Sequence, residues 1–136
     1  MGQEKTMREH TIEVRTRYAE TDQMGVVYYA NYLVWFEIVR TEFFRASGLD
    51  YNELERKDKI YLPVVEAYCR YKAPLKYDDL VTVTAKLTKI EASRITFEYY
   101  IKKDGKIKTT GMTKHVFVNG KGKTIQVPQK VRVAFK

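Results

Sequence analysis

Residues 25–39 read GVVYYANYLVWFEIV, the most apolar stretch of the 136-residue chain. No proline interrupts the sequence from Tyr29 to Ser47, the residues are adequate helix formers, and Gly48 stands where a left-handed carboxyl-terminal cap belongs. A helix over about 29–47 is therefore predicted. Its first half, YLVWFEIV, is apolar nearly all the way round and should be wrapped by protein rather than laid on a surface. Arg40, Glu42 and Arg45 let the second half reach water. Immediately before the helix lie Glu20, Thr21, Asp22 and Gln23, so a lone carboxylate and, at Gly25, a glycine sit at its mouth.

Outward from the helix, the period changes from that of a helix to that of a strand. In TIEVRTRY, residues 11–18, Ile12, Val14 and Tyr18 alternate with Glu13, Arg15 and Arg17. After a helical turn near Tyr51 to Lys57, Val65, Ala67, Cys69 and Tyr71 alternate with Glu66, Arg70 and Lys72. Val81, Val83, Ala85 and Leu87 share one face of the next strand, and Ile95, Phe97, Tyr99 and Ile101 one face of the strand after it. Asp104 and Gly105 supply a tight hairpin turn. A fifth strand runs from about Lys106 to Val118, and Pro128 starts a last helical turn. One strand, one long apolar helix and four further strands make an α+β pattern. A five-stranded antiparallel sheet curled around the helix would supply the wrapping, and its exposed edges, with 13% aromatic residues, suggest that two copies pair edge to edge.

The composition narrows the function. With 44% hydrophobic and 31% charged residues the chain is globular and of a size for one domain, 1–136, with residues 1–9 a flexible tail. No run approaches the roughly 20 apolar residues needed to cross a bilayer, and the amino terminus lacks a secretory hydrophobic segment, so a cytoplasmic protein is expected. Cys69 is the single cysteine, and His10 and His115 are far apart, which leaves no disulfide framework and no zinc-type spacing. The net charge of +8 favours anionic partners, although the basic residues are spread along the chain as they would be on a solubilising surface.

The segment RYAETDQMGVVYYANYLVWFEIVRTEFFR resembles the acyl-coenzyme A thioesterases of the hotdog fold, in the 4-hydroxybenzoyl-CoA thioesterase-like branch that includes the YbgC and FadM types. Tyr18, Asp22, Gly25, Val26, Val27, Tyr28, Asn31 and Tyr32 match the first block of that family, and RYKAPLKYDDLVTV and SRITFEYYI look like the second and third. The resemblance implies a thioester hydrolase with Asp22 as the catalytic aspartate, the backbone N–H of Tyr29 as carbonyl donor, Gly25 admitting substrate close to the main chain, and no cofactor beyond the coenzyme A of the substrate. The first N–H groups of a helix lack intrahelical partners and carry partial positive charge, which suits a carbonyl gaining negative charge. One such donor is typically worth roughly 3 to 4 kcal/mol in a transition state. The carboxylate would attack the carbonyl or activate a water, and the sequence does not separate the two. Relatives of the YbgC type often carry a histidine where Tyr29 stands, while benzoyl-type relatives carry tyrosine. The resemblance also implies a homodimer or homotetramer, since the site in such proteins lies between two chains.

Each candidate has a plainer counterpart. Asp22 alone would read as a turn or capping residue, and Gly25 as an ordinary loop glycine. Tyr28, Tyr29 and Tyr32 read as aromatics with a polar tip. Glu37 should form an ion pair with Arg40 or contact Thr41 rather than act in catalysis. His10 and His115 are expected on strand surfaces and Cys69 as a small core hydrophobe. NGKGK, residues 119–123, is a basic turn and not a phosphate loop, because the required Ser or Thr and a following helix are missing. An acyl carrier protein is an alternative acyl donor, being acidic where this chain is basic. A hydratase is disfavoured by the lack of any histidine between residues 11 and 114. A basic nucleic-acid-binding module, with tyrosines stacking on bases, is the non-enzymatic alternative. It gives the apolar helix no purpose, and nucleic acid is not expected as a partner.

Overall fold

The computed structural model describes residues 8–135. The elements are β1 (Glu9–Arg15), a 3-10 turn at Tyr18–Glu20, α1 (Ala30–Ala46), α2 (Tyr51–Arg56), β2 (Val64–Tyr71), β3 (Leu80–Ile90), β4 (Arg94–Lys103), β5 (Lys106–Val116) and α3 (Gln129–Ala134). The strands form one antiparallel sheet in the order β1-β3-β4-β5-β2, which leaves β1 and β2 as its edges. The expected tail over residues 1–9 falls outside the described residues as far as residue 7. Arg8 and Glu9 are held by the sheet, Arg8 through its carbonyl and the N–H of Leu87 at 2.8 Å and Glu9 by pairing with Lys86.

The core is the inner face of this sheet against one side of α1. Val81, Val83, Ala85 and Leu87 of β3 and Ile95, Phe97, Tyr99 and Ile101 of β4 are buried, as their alternation predicts. From α1, Tyr32, Trp35, Phe36, Val39, Phe43 and Phe44 meet them at helical spacing. Each fully buried side chain of this size contributes roughly 1.5 to 3 kcal/mol. Phe36 stacks on Tyr99 with ring centroids 4.2 Å apart. That contact needs Gly111 on β5, where a β-carbon would lie 2.6 Å from the Phe36 Cζ.

Several expectations are corrected. Tyr18 is not a strand residue facing the core: β1 ends at Arg15, and Tyr18 lies in the 3-10 turn, 79% exposed. The first half of α1 is not wrapped on all sides. Leu33, Val34 and Ile38 are exposed beside Glu37, because a single sheet covers only the opposite face. Glu37 forms no ion pair among the described residues, since Arg40 turns inward and donates to the Tyr99 hydroxyl at 3.0 Å. His115 is fully buried rather than on a strand surface, because the inward face of β5 is Thr109, Gly111, Thr113 and His115. His10 is half-buried on β1.

His115 and Arg40 close a buried polar chain whose direction is set by its ends. Leu62 offers a carbonyl, which can only accept, so His115 Nδ1 carries the proton and donates to it at 3.1 Å. His115 Nε2 then accepts from the Thr113 hydroxyl at 2.9 Å, Thr113 accepts from the Tyr99 hydroxyl at 2.6 Å, and Tyr99 accepts from Arg40. Burial, with the Arg40 guanidinium second, pushes His115 from 6.5 down to about 4 and keeps it neutral.

Candidate active site

The loop between the 3-10 turn and α1 is a small folded unit. Thr21 bridges to Val27, and Val26 bridges to Lys76. The N–H of Asp22 donates to the Val26 carbonyl at 2.9 Å, and the N–H of Gly25 donates back to the Asp22 carbonyl at 2.9 Å. Asp22 Oδ1 accepts the N–H of Met24 at 2.8 Å, an Asx-type turn. Gly25 takes φ +80°, a left-handed corner that any side chain would strain. The N–H of Val27 donates to the Leu75 carbonyl at 2.8 Å, docking the loop on the segment that leads into β3.

Glu20 ties this loop to the core, and sequence reasoning missed its role. It is buried; Oε1 accepts the N–H of Arg17 at 2.7 Å and Oε2 accepts the indole N–H of Trp35 at 2.9 Å. Its carbonyl accepts the N–H of Tyr28 at 2.8 Å and the side-chain amide of Asn31 at 2.9 Å. One residue thus joins the loop to the first two turns of α1. The three-residue spacing from Arg17 to Glu20 was the only local signal for it.

At the amino terminus of α1, Asn31 N–H donates to the Tyr28 carbonyl at 3.0 Å and Tyr32 N–H to the Tyr29 carbonyl at 3.3 Å. The N–H groups of Tyr29 and Ala30 have no acceptor among the described residues. They are the orphan donors expected at a helix start, with the dipole's positive end behind them. A cavity of about 400 Å³ opens here, its wall including Asp22, Tyr28, Tyr29, Tyr32, Tyr71 and Lys72. Asp22 and Tyr29 are thus brought together, whereas Gly25 shapes the turn behind them and does not line the cavity.

The wall is aromatic and closely spaced. Tyr28 and Tyr29 have ring centroids 4.8 Å apart, and Tyr32 meets Tyr71 edge-on at 5.0 Å. The neighbouring Tyr29 side chain first, and the Asp22 carboxylate least, push the Tyr28 phenol above its ordinary value. Burial does the same for Tyr32. The other expected residues stand apart: Glu37 lies in a separate hollow with Arg40 and Tyr51, and Cys69 is half-buried against the core, its thiol raised by burial. The basic turn is built on Asn119, whose side-chain oxygen accepts the N–H groups of Lys121 and Lys123 at 2.9 and 3.0 Å. No group of three or more candidate metal-ligating side chains occurs among the described residues, and no helix there is long and apolar enough to cross a membrane.

Residues 16–135 match the model of the thioesterase-like superfamily. The acyl-CoA thioesterase YbgC of Haemophilus influenzae is 31% identical over 123 residues, covering 90% of each chain. The DHNA-CoA thioesterase of Staphylococcus aureus, 31% identical, has the same fold with a TM-score of 0.88 over 93% of this chain and 88% of its own. A hypothetical protein of Aquifex aeolicus, 33% identical, gives 0.89 over 93% and 99%. With the five-stranded sheet, the single long helix and a family match over nearly its whole length, this chain belongs to the thioesterase-like superfamily and carries the hotdog fold.

Proposed function

We propose that this protein hydrolyses acyl-coenzyme A thioesters to a carboxylic acid and free coenzyme A, with Asp22 as nucleophile or general base and the Tyr29 N–H as carbonyl donor. One observation carries the reading: the Asp22 carboxylate and Tyr29, whose helix-start N–H has no acceptor among the described residues, border the same apolar-walled cavity. A thioester carbonyl set against the Tyr29 N–H gains negative charge where the helix terminus stabilises it. In one route the Asp22 carboxylate adds to the carbonyl, the C–S bond breaks with coenzyme A leaving as thiolate, and water cleaves the resulting anhydride. In the other, water adds directly and gives its proton to Asp22 before the thiolate leaves. Both consume one water and need no further cofactor.

The same reading has the enzyme acting as a homo-oligomer. Its support is the bare stripe of Leu33, Val34 and Ile38 on α1, together with the exposed Val64, Val65, Tyr68 and Tyr71 of edge strand β2. Isolated apolar residues need no explanation, but a helix face and a sheet edge left bare together mark an interface. A net charge of +8 also suits an acidic acyl carrier protein as a second donor. The test is release of free thiol from a panel of acyl-CoAs, aliphatic and aromatic, by the wild type and by Asp22→Asn. Turnover by the wild type and its loss in the variant are expected; full turnover by Asp22→Asn would overturn the assignment.

A further inference from the structure

We infer that Tyr71 is a positioning residue for this site: its hydroxyl holds and polarises the peptide that presents the Ala30 N–H to the substrate carbonyl. The inference rests on the hydrolase reading and adds a residue and a second donor to it. Tyr71 is the last residue of β2, on the same side of the strand as Cys69, where its neighbour across the ladder is Thr109. Its hydroxyl donates to the Tyr29 carbonyl at 3.1 Å. That carbonyl and the Ala30 N–H belong to one peptide group. A hydrogen bond accepted at the oxygen draws electron density from the nitrogen and makes the N–H a stronger donor. The Ala30 N–H, next along the chain from the cavity-lining Tyr29, has no acceptor among the described residues and Ala30 is exposed, so the strengthened donor is open to a ligand at the cavity's edge.

The geometry of the ring fits this role. Tyr71 meets Tyr32 edge-on at 5.0 Å and Tyr29 edge-on at 6.4 Å, which fixes the ring between the first turn of α1 and the end of β2. The Tyr29 carbonyl also accepts the N–H of Tyr32, so the Tyr71 hydroxyl is not filling an otherwise vacant acceptor. It ties a sheet edge to the helix start at the point where the two unpaired amides emerge. Burial, with the Cys69 thiol second, raises the Tyr71 phenol and keeps it a proton donor at neutral pH.

Tyr71→Phe keeps the ring that lines the cavity and removes only the hydroxyl. The expected result is a fall in kcat of about tenfold, equal to roughly 1.4 kcal/mol. KM should stay within about twofold and the melting temperature should be retained. The Ala30 amide proton should move upfield in the NMR spectrum, a readout that does not depend on turnover. Tyr100→Phe, on β4 and outside the cavity lining, should leave kcat unchanged. An unchanged kcat in Tyr71→Phe alongside an inactive Asp22→Asn would overturn the positioning role and leave the hydrolase reading standing. A raised KM with kcat retained would also overturn it, making Tyr71 a wall alone. Full activity in Asp22→Asn would remove the hydrolase reading, and the positioning role with it. Should Tyr71→Phe fail to fold, 3-fluorotyrosine at position 71 offers a more acidic hydroxyl of the same shape. A rise in kcat is then expected, and no change would overturn the inference.

Discussion

The two halves of α1 treat polar groups in opposite ways. Midway along the helix, Arg40 enters a buried chain through Tyr99, Thr113 and His115 to the Leu62 carbonyl, with each donor aimed at an acceptor. At the amino terminus, the Tyr29 and Ala30 amides have no acceptor among the described residues, and Tyr29 lines a tyrosine-walled cavity together with Asp22. A buried polar group must be paired because each unpaired one costs about 1 to 3 kcal/mol. An accessible one can stay open and keep its hydrogen-bonding capacity for a ligand. The same helix is thus locked at its middle and left with open donors at its tip.

The sharpest way to separate the halves is at Asp22. Asp22→Asn should lower kcat by at least about a hundredfold, the scale of a lost general base or nucleophile. Because Asp22 is exposed and bonds only within its own loop, thermal unfolding should barely move. The locked half should show the reverse, a stability that depends on pH. His115 is held from 6.5 down to about 4, so the unfolded chain binds a proton that the folded one refuses. Its contribution is fully present above pH 6.5 and is lost as pH falls toward 4, by about 3 kcal/mol in all, read from urea unfolding at a series of pH values. In His115→Gln that slope should flatten.

A smaller effect should come from packing. Gly111→Ala forces a methyl against Phe36 and should destabilise by about 1 to 3 kcal/mol, measurable by denaturant titration. The smallest is expected at Glu37, which is exposed and has no ion-pair partner among the described residues: Glu37→Gln should change monomer stability by under about 0.5 kcal/mol. A larger change that depends on protein concentration would place Glu37 at an interface between copies, and analytical ultracentrifugation would show it.

Much of the fold was legible because it is written in short periods. The inward faces of β3 and β4, the span of α1, the Asp104–Gly105 turn and the helical turn after Pro128 all follow from alternation, capping or proline. Asp22 and Tyr29 were singled out by the resemblance of their segment to a thioesterase family block, since by themselves they read as a turn residue and an aromatic with a polar tip. The span of β5 was legible but its inward face was not, because that face carries threonines, a glycine and a histidine, and these read as surface residues until Tyr99, Arg40 and Phe36 arrive opposite them. Glu20 and Tyr71 escaped for the same reason. Their partners, Trp35 and the Tyr29 carbonyl, are 15 and 42 residues away.

What the amino-acid sequence determined by itself, then, is local: which segments are helix or strand, which side of β3 and β4 is apolar, and that a carboxylate precedes the apolar helix. Periodicity and capping act over a few residues, and their free energies are felt before distant segments meet. Only the tertiary structure decided which polar side chains go inside, which helix-start amides stay open, and which strand end reaches across to the Tyr29 carbonyl. Those outcomes depend on pairing groups far apart in the chain, and a buried donor or acceptor has no defined cost until its partner is in place.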